Sequence, residues 1–255
     1  MTRFVGVLSG KGGVAKTTTV VNLGSAMNYF GRDVIIVDGN LSTPNLGLHL
    51  GVPVVPISLH DVLKGNNHLS ESVYLHPSGL KIIPAGISIA DLKGANPDNI
   101  GKVLPYLDGL ADVVLVDGSA GLGKECLAVM RAVDDIIIVT NSELPAVTDA
   151  LKTIRIAEEM GKNIRGVVVA KSGEGEGLTL EAVKSMLDKD IIGIIPYDKY
   201  VKESLKMKEP VIYTHPKSKS AIAYKKLAAD LMGVEFDEKV DSGFGSFLRK
   251  IGLRR

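Results

Sequence analysis

The stretch Ser9-Gly10-Lys11-Gly12-Gly13-Val14-Ala15-Lys16-Thr17-Thr18 constrains this chain more than any other. It follows a short apolar run, Phe4-Val5-Gly6-Val7-Leu8, that reads as a buried strand. It precedes Val20, Leu23, Met27 and Phe30, whose spacing is helical, and Gly31 supplies a stop. A strand, a glycine-rich turn and a helix N-terminus make an anion site, because backbone N–H groups converge there and the helix dipole favours negative charge. Lys16 can reach terminal phosphates, and the Thr17 hydroxyl can hold Mg²⁺. One position departs from the phosphate-loop pattern. Ala15 stands where the second glycine belongs, and its Cβ resists a positive φ.

The rest of the chain repeats the strand–helix alternation. Apolar strands are expected at Val34–Asp38, Val113–Asp117, Asp135–Asn141, Gly166–Ala170 and Ile191–Pro196, with a short strand and turn at Lys81–Gly86. Helical stripes lie between them: Ile100, Val103, Leu104, Leu107 and Leu110; Leu144, Val147, Leu151 and Ile154; Leu180, Val183 and Leu187. Val201 with Leu205, then Tyr224, Leu227 and Leu231, close the series. This order predicts an α/β fold, a mostly parallel twisted sheet flanked by helices with right-handed crossovers. Aromatic residues are only 5% of the chain, and Val, Ile, Leu and Ala carry the apolar content, as buried parallel strands require. Ligands collect at the carboxyl ends of such strands, which places Asp38 near the glycine-rich turn.

Composition excludes several classes. The net charge of +1 gives no overall excess that would point to nucleic acid. Cys126 is the sole cysteine, so an intrachain disulfide, a Cys-x-x-Cys pair and a four-cysteine zinc site are all excluded, and a reducing cytosol is expected. No run of about 18 apolar residues is present, and no signal peptide is read at the N-terminus. His60, His68 and His76 share no ligand spacing; Glu71, three residues after His68, is the only carboxylate at helical spacing from any of them.

Lys11-Gly12-Gly13-Val14-Ala15-Lys16-Thr17-Thr18 resembles the deviant Walker A motif of the MinD/ParA ATPases, with its extra lysine near the start. Four further segments are similar to that family. Val37-Asp38-Gly39-Asn40-Leu41 with Pro44-Asn45-Leu46 resembles switch I, and Asp117-Gly118-Ser119-Ala120-Gly121-Leu122 resembles Walker B running into switch II. Val139-Thr140-Asn141-Ser142-Glu143 and Ile194-Ile195-Pro196-Tyr197-Asp198 match later landmarks. The resemblance covers about residues 1 to 232 and implies a P-loop ATPase domain that binds ATP and Mg²⁺ and forms an ATP-dependent homodimer. It implies that Gly10, Lys11, Gly12, Gly13, Val14, Ala15, Lys16, Thr17 and Thr18 bind nucleotide, with Gly121 and Pro196 also contributing. Lys16 would hold the β- and γ-phosphates, Thr18 the α-phosphate, and Lys11 the partner's nucleotide. Thr17 would hold the metal, Asp38 and Asp117 would support metal and water, and Asn40 stands at the switch I position that helps place Mg²⁺ and the attacking water.

Four departures bear on that carry-over. Ala15 replaces glycine, Asn40 replaces the switch I aspartate, Ser119 replaces the switch II proline, and Ala170-Lys171 stands where the family has Asn-Arg near the adenine. An amide at residue 40 cannot act as a base, so hydrolysis is expected to be slow or absent.

Residues 233 to 243 read as an acidic linker. Beyond it Phe244, Phe247, Leu248 and Ile251 fall at i, i+3, i+4 and i+7, with Arg249, Lys250, Arg254 and Arg255 off the stripe. A basic amphipathic segment over 244–255 suits an anionic membrane surface. The family carries a similar C-terminal targeting helix. The function expected is therefore a MinD-like ATPase at the cytoplasmic membrane face, positioning division or other polar machinery through an activator or cargo protein. A non-hydrolysing nucleotide-bound scaffold and a ParA-like DNA-segregation ATPase are the alternatives, and no specific nucleic acid is expected as partner.

Overall fold

The computed structural model describes residues 1–173, 175 and 177–237. The amphipathic segment with Phe244, Phe247, Leu248 and Ile251 lies outside the described residues, as does the end of the linker.

The chain opens with β1 (Arg3–Ser9), α1 (Lys16–Tyr29) and β2 (Val34–Asp38). Short pieces follow: α2 (Leu46–His49), α3 (Leu59–Leu63), β3 (Tyr74–Leu75), β4 (Lys81–Ile83), α4 (Ile89–Leu92) and α5 (Ile100–Val103). Regular alternation then returns with β5 (Val113–Ala120), α6 (Lys124–Ala132), β6 (Asp135–Thr140), α7 (Leu144–Glu159), β7 (Asn163–Ser172), α8 (Leu180–Leu187) and β8 (Ile191–Pro196). The last elements are α9 (Lys199–Met207), α10 (Val211–Thr214) and α11 (Lys219–Met232).

The sheet runs β3-β4-β2-β5-β1-β6-β7-β8, parallel throughout except for the short antiparallel pairing of β3 with β4. Period-two alternation divides each strand between two cores. Ile35 and Val37 of β2 face one layer with residues of α3, α5, α6, α7 and α8, whereas Val34 and Ile36 face the other with residues of α1, α10 and α11. Both faces of the sheet are thus covered, which is why its strands read as continuous apolar runs. Each fully buried Val, Leu or Ile adds roughly 1.5–3 kcal/mol of transfer free energy.

Two differences from the sequence reading have local causes. The stripe from Ile100 to Leu110 is not one helix. A 3₁₀ turn at Pro97–Asn99 precedes it, and the stripe itself is split into α5 and a second 3₁₀ turn at Leu104–Leu107. Pro105 has no N–H to continue an α-helical ladder, and Leu110 is exposed. Leu144 opens α7 but faces solvent rather than joining Val147 and Ile154 in the core.

The register places the site. β1 lies between β5 and β6 at the centre of the sheet. Val7 of β1 and Asp38 of β2 both pair with Asp117 of β5. The glycine-rich turn leaves the end of β1, so all of these residues meet at one carboxyl edge. Gly10 lets α7 approach, because a Cβ there would collide with the Asp149 backbone.

Candidate functional site

The turn after β1 delivers α1 with Lys16, Thr17 and Thr18 in its first turn, all three buried. Ala15 caps the helix in the left-handed region at φ 69°, and its carbonyl accepts the Thr19 N–H at 2.9 Å. The backbone thus adopts the conformation that a glycine would take without cost, although a methyl group stands there. Gly12 and Gly13 sit exposed at the tip, Gly13 at φ 80°, and Val14 is buried below them.

Asp117 receives two partners from this turn. Lys16 Nζ lies 2.5 Å from its Oδ1, and Thr17 Oγ1 donates to its Oδ2 at 2.6 Å. The Ser9 hydroxyl is buried beside them without a partner among the described residues. Backbone donors, a lysine, two threonine hydroxyls and that unmatched hydroxyl surround a cleft of about 500 Å³, a size that suits a small ligand. The donor set fits phosphate. Thr17 and Asp117 present the hard oxygens that Mg²⁺ prefers, so these residues fit the cation as well.

Asp38 lies fully buried at the end of β2, in register with Asp117. Its carboxyl accepts backbone N–H groups from Asn40 at 3.2 Å, Asn45 at 3.1 Å and Leu46 at 3.0 Å, and so shapes the switch I segment. Burial, then the charge of neighbouring Asp117, pushes Asp38 up to about 8. Asn40 is turned onto its own loop: its Nδ2 donates to Thr43 O at 2.5 Å, and its Oδ1 accepts from Thr43 Oγ1 at 3.0 Å.

Several contacts have no counterpart in the sequence reading. Glu125, in the first turn of α6, accepts from both the N–H of Ser42, at 3.0 Å, and its hydroxyl. That contact joins switch I to the helix that follows switch II. His49 on α2 reaches Asn45 O from Nδ1 at 2.9 Å and faces the Thr18 hydroxyl with Nε2 at 3.4 Å. Burial holds its ring below the ordinary histidine range, so the neutral form lines the cleft. His49 lies four residues after Asn45, a helical spacing that could have flagged it; Glu125 and Ser42 stand too far apart in sequence for any such signal.

Lys11 lines the same cleft. Its Nζ pairs with Glu143 Oε2 at 3.0 Å, and Glu143 also accepts Asn141 Nδ2 at 3.0 Å. The hydrogen bond from Lys11 is the first cause that holds Glu143 below the usual glutamate range. Gly121 spends its N–H on Ser9 O at 2.9 Å, binding the switch II loop to the glycine-rich turn. Pro196 lies on the far wall of the cleft with Ala170 and Lys171.

Comparison with known proteins places this geometry. Residues 5–211 match the CobQ/CobB/MinD/ParA nucleotide binding domain. An ATP-binding protein of Methanocaldococcus jannaschii is 33% identical over 247 residues, spanning 96% of this chain and 94% of that one. The septum site-determining protein MinD of Pyrococcus horikoshii, solved with Mg-ADP, is 34% identical and superposes with a TM-score of 0.87, covering 91% of this chain and 96% of that one. MinD of Aquifex aeolicus, solved in a complex with MinC, is 28% identical with a TM-score of 0.82, over 92% and 97% of the two chains. With the family match spanning residues 5–211 and a relative 33% identical over 96% of the chain, the chain belongs to the CobQ/CobB/MinD/ParA family of nucleotide-binding proteins.

Proposed function

We propose that this chain is a MinD-like, ATP-dependent switch that dimerises on ATP and holds division or other polar machinery at the cytoplasmic membrane face, with slow hydrolysis. The observation that carries this reading is the convergence of Lys16, Thr17 and Asp117 under a donor-lined turn.

Lys16, paired with Asp117, would bind β- and γ-phosphate oxygens, and Asp117 would serve the metal. Thr17 would hold the metal through its hydroxyl, and Thr18 would take the α-phosphate. Mg²⁺, when bound, neutralises phosphate charge and orders water. Lys11 exchanges Glu143 for the nucleotide of a second copy, supplying a cation in trans. Asn40 places no base beside the phosphates, since its amide is closed onto Thr43. That feature favours a second reading, a scaffold that binds ATP without turnover.

The basic amphipathic segment with Phe244, Phe247, Leu248 and Ile251 supports membrane attachment. One short segment binds lipid weakly, and two on one dimer raise the effective affinity roughly 10²-fold. The MinC-bound relative supports a protein partner of the activator or cargo kind.

Calorimetry with ATP, with and without Mg²⁺, then dimer sizing and sedimentation with anionic liposomes test the reading. ATP should bind, dimerise the chain and pellet it with vesicles, and removal of residues 244 to 255 should abolish pelleting alone. A chain that does not bind ATP, or that pellets equally without its tail, contradicts it.

A further inference from the structure

The end of α2 sets one titratable ring against the first turn of α1. His49 is half-buried on the wall of the cleft, with Asn45 O 2.9 Å from its Nδ1. A carbonyl oxygen only accepts, so Nδ1 carries the hydrogen, and in the neutral ring Nε2 is left as an acceptor. Nε2 faces Thr18 Oγ1 at 3.4 Å. The tautomer decides the sense of that contact: Thr18 is the donor, and its hydroxyl hydrogen points at His49.

A phosphate on the cleft side asks for the same hydrogen. Ionised phosphate oxygens accept and do not donate, so Thr18 serves them only by turning its hydrogen away from Nε2. A neutral ring would then set the Nε2 lone pair against the lone pairs of Oγ1. A proton on Nε2 removes the conflict. The imidazolium donates to Asn45 O from Nδ1 and to Thr18 Oγ1 from Nε2, and Thr18 donates to the phosphate. The positive ring also faces the negative charge that has arrived.

The groups around His49 make the phosphate the deciding charge. Lys16 at the start of α1 and Lys208 after α9 oppose a charge on the ring, and Asp117 of β5 favours it; α2 carries no other titratable side chain. Lys16 and Asp117 are paired with each other, and Lys208 Nζ is held at 3.2 Å on Leu48 O beside the ring. Burial acts with the two lysines to keep the ring neutral before an anion binds. We propose that His49 takes a proton from solvent when nucleotide binds and, as the imidazolium, aims the Thr18 hydroxyl at the α-phosphate. His49 is thus a positioning residue that couples nucleotide affinity to pH near neutrality. The inference rests on the nucleotide-binding reading above.

The test is calorimetric titration of the full chain with the Mg²⁺ complex of ADP at pH 7, in buffers of different ionisation enthalpy, which counts the protons taken up. His49→Gln keeps a polar side chain there that does not titrate, and subtracting it removes protons exchanged by Asp38 or by the nucleotide itself. The parent should take up about half a proton more than His49→Gln, and its affinity relative to that variant should rise about threefold for each unit fall in pH. Histidine imidazole resonances of the parent give a reading that needs no variant: one of the five histidines should titrate at least about one unit higher with the ADP complex bound. Equal proton uptake in parent and variant overturns the inference, as do histidines that titrate alike with and without the ADP complex, even where His49→Gln does not fold. Either result leaves nucleotide binding standing, whereas a parent that binds no nucleotide sinks both readings.

Discussion

Lys16 and Asp117 form an ion pair across 101 residues of sequence, Nζ to Oδ1 at 2.5 Å, with side chains 8% and 0% exposed. Two charges taken that far out of water repay their desolvation only through each other and their remaining hydrogen bonds. Lys16→Ala should therefore lose about 3 kcal/mol of stability as well as ATP binding, because it strands a buried carboxylate. The double change Lys16→Met with Asp117→Asn should recover most of the stability and none of the binding. Urea unfolding of the parent and the two variants checks this; a Lys16→Ala protein that loses under about 1 kcal/mol shows that Asp117 finds other compensation.

Ala15 offers a stability test with a decided sign. A left-handed alanine costs roughly 1–2 kcal/mol. Glycine would relieve that strain but adds roughly 0.4–1 kcal/mol of unfolded-state entropy. The strain is the larger quantity, so Ala15→Gly should stabilise the protein by about 0.5–1 kcal/mol. A lowered midpoint in thermal or urea unfolding would contradict the strained cap.

Asn40→Asp should raise ATP hydrolysis by at least about tenfold, since a positioned base contributes roughly 10²-fold or more. The exchange also removes the Nδ2 donor that now closes the loop on Thr43 O and replaces it with a carboxylate that the carbonyl repels. Steady-state phosphate release is the readout. Unchanged turnover would mean that Asn40 is not what limits hydrolysis.

Asp198 provides a pH dependence. Burial raises its carboxyl, but hydrogen bonds from the Ser220 backbone, the Tyr200 backbone and the hydroxyls of Ser220 and Ser218 outweigh burial and hold it below the ordinary 3.8. The folded state then binds fewer protons than the unfolded chain just below that value. Its stabilisation is complete above 3.8 and is lost as pH falls through the depressed folded value. Asp198→Ala should cost about 1–3 kcal/mol at neutral pH through the lost cap and the Ser220 contacts. The difference from the parent should shrink on acidification. A constant gap down to acid unfolding would assign the loss to packing instead.

Local pattern carried much of this protein. The apolar runs, the helical stripes and the glycine-rich turn announce the sheet, its helices and the phosphate-type cradle, because side-chain period and backbone freedom are properties of neighbouring residues. β3 escaped, being two residues long, and Pro105 broke a stripe whose periodicity looked continuous. The residue types of the site were equally legible, but the contacts they make were not. Asp38 shapes switch I, Asn40 closes on Thr43, Lys11 rests on Glu143, and Glu125 grips Ser42. The Lys11–Glu143 and Glu125–Ser42 contacts join residues 132 and 83 positions apart. Strand register and helix packing decide which side chains meet, and a buried carboxylate takes whichever donors that packing brings within reach.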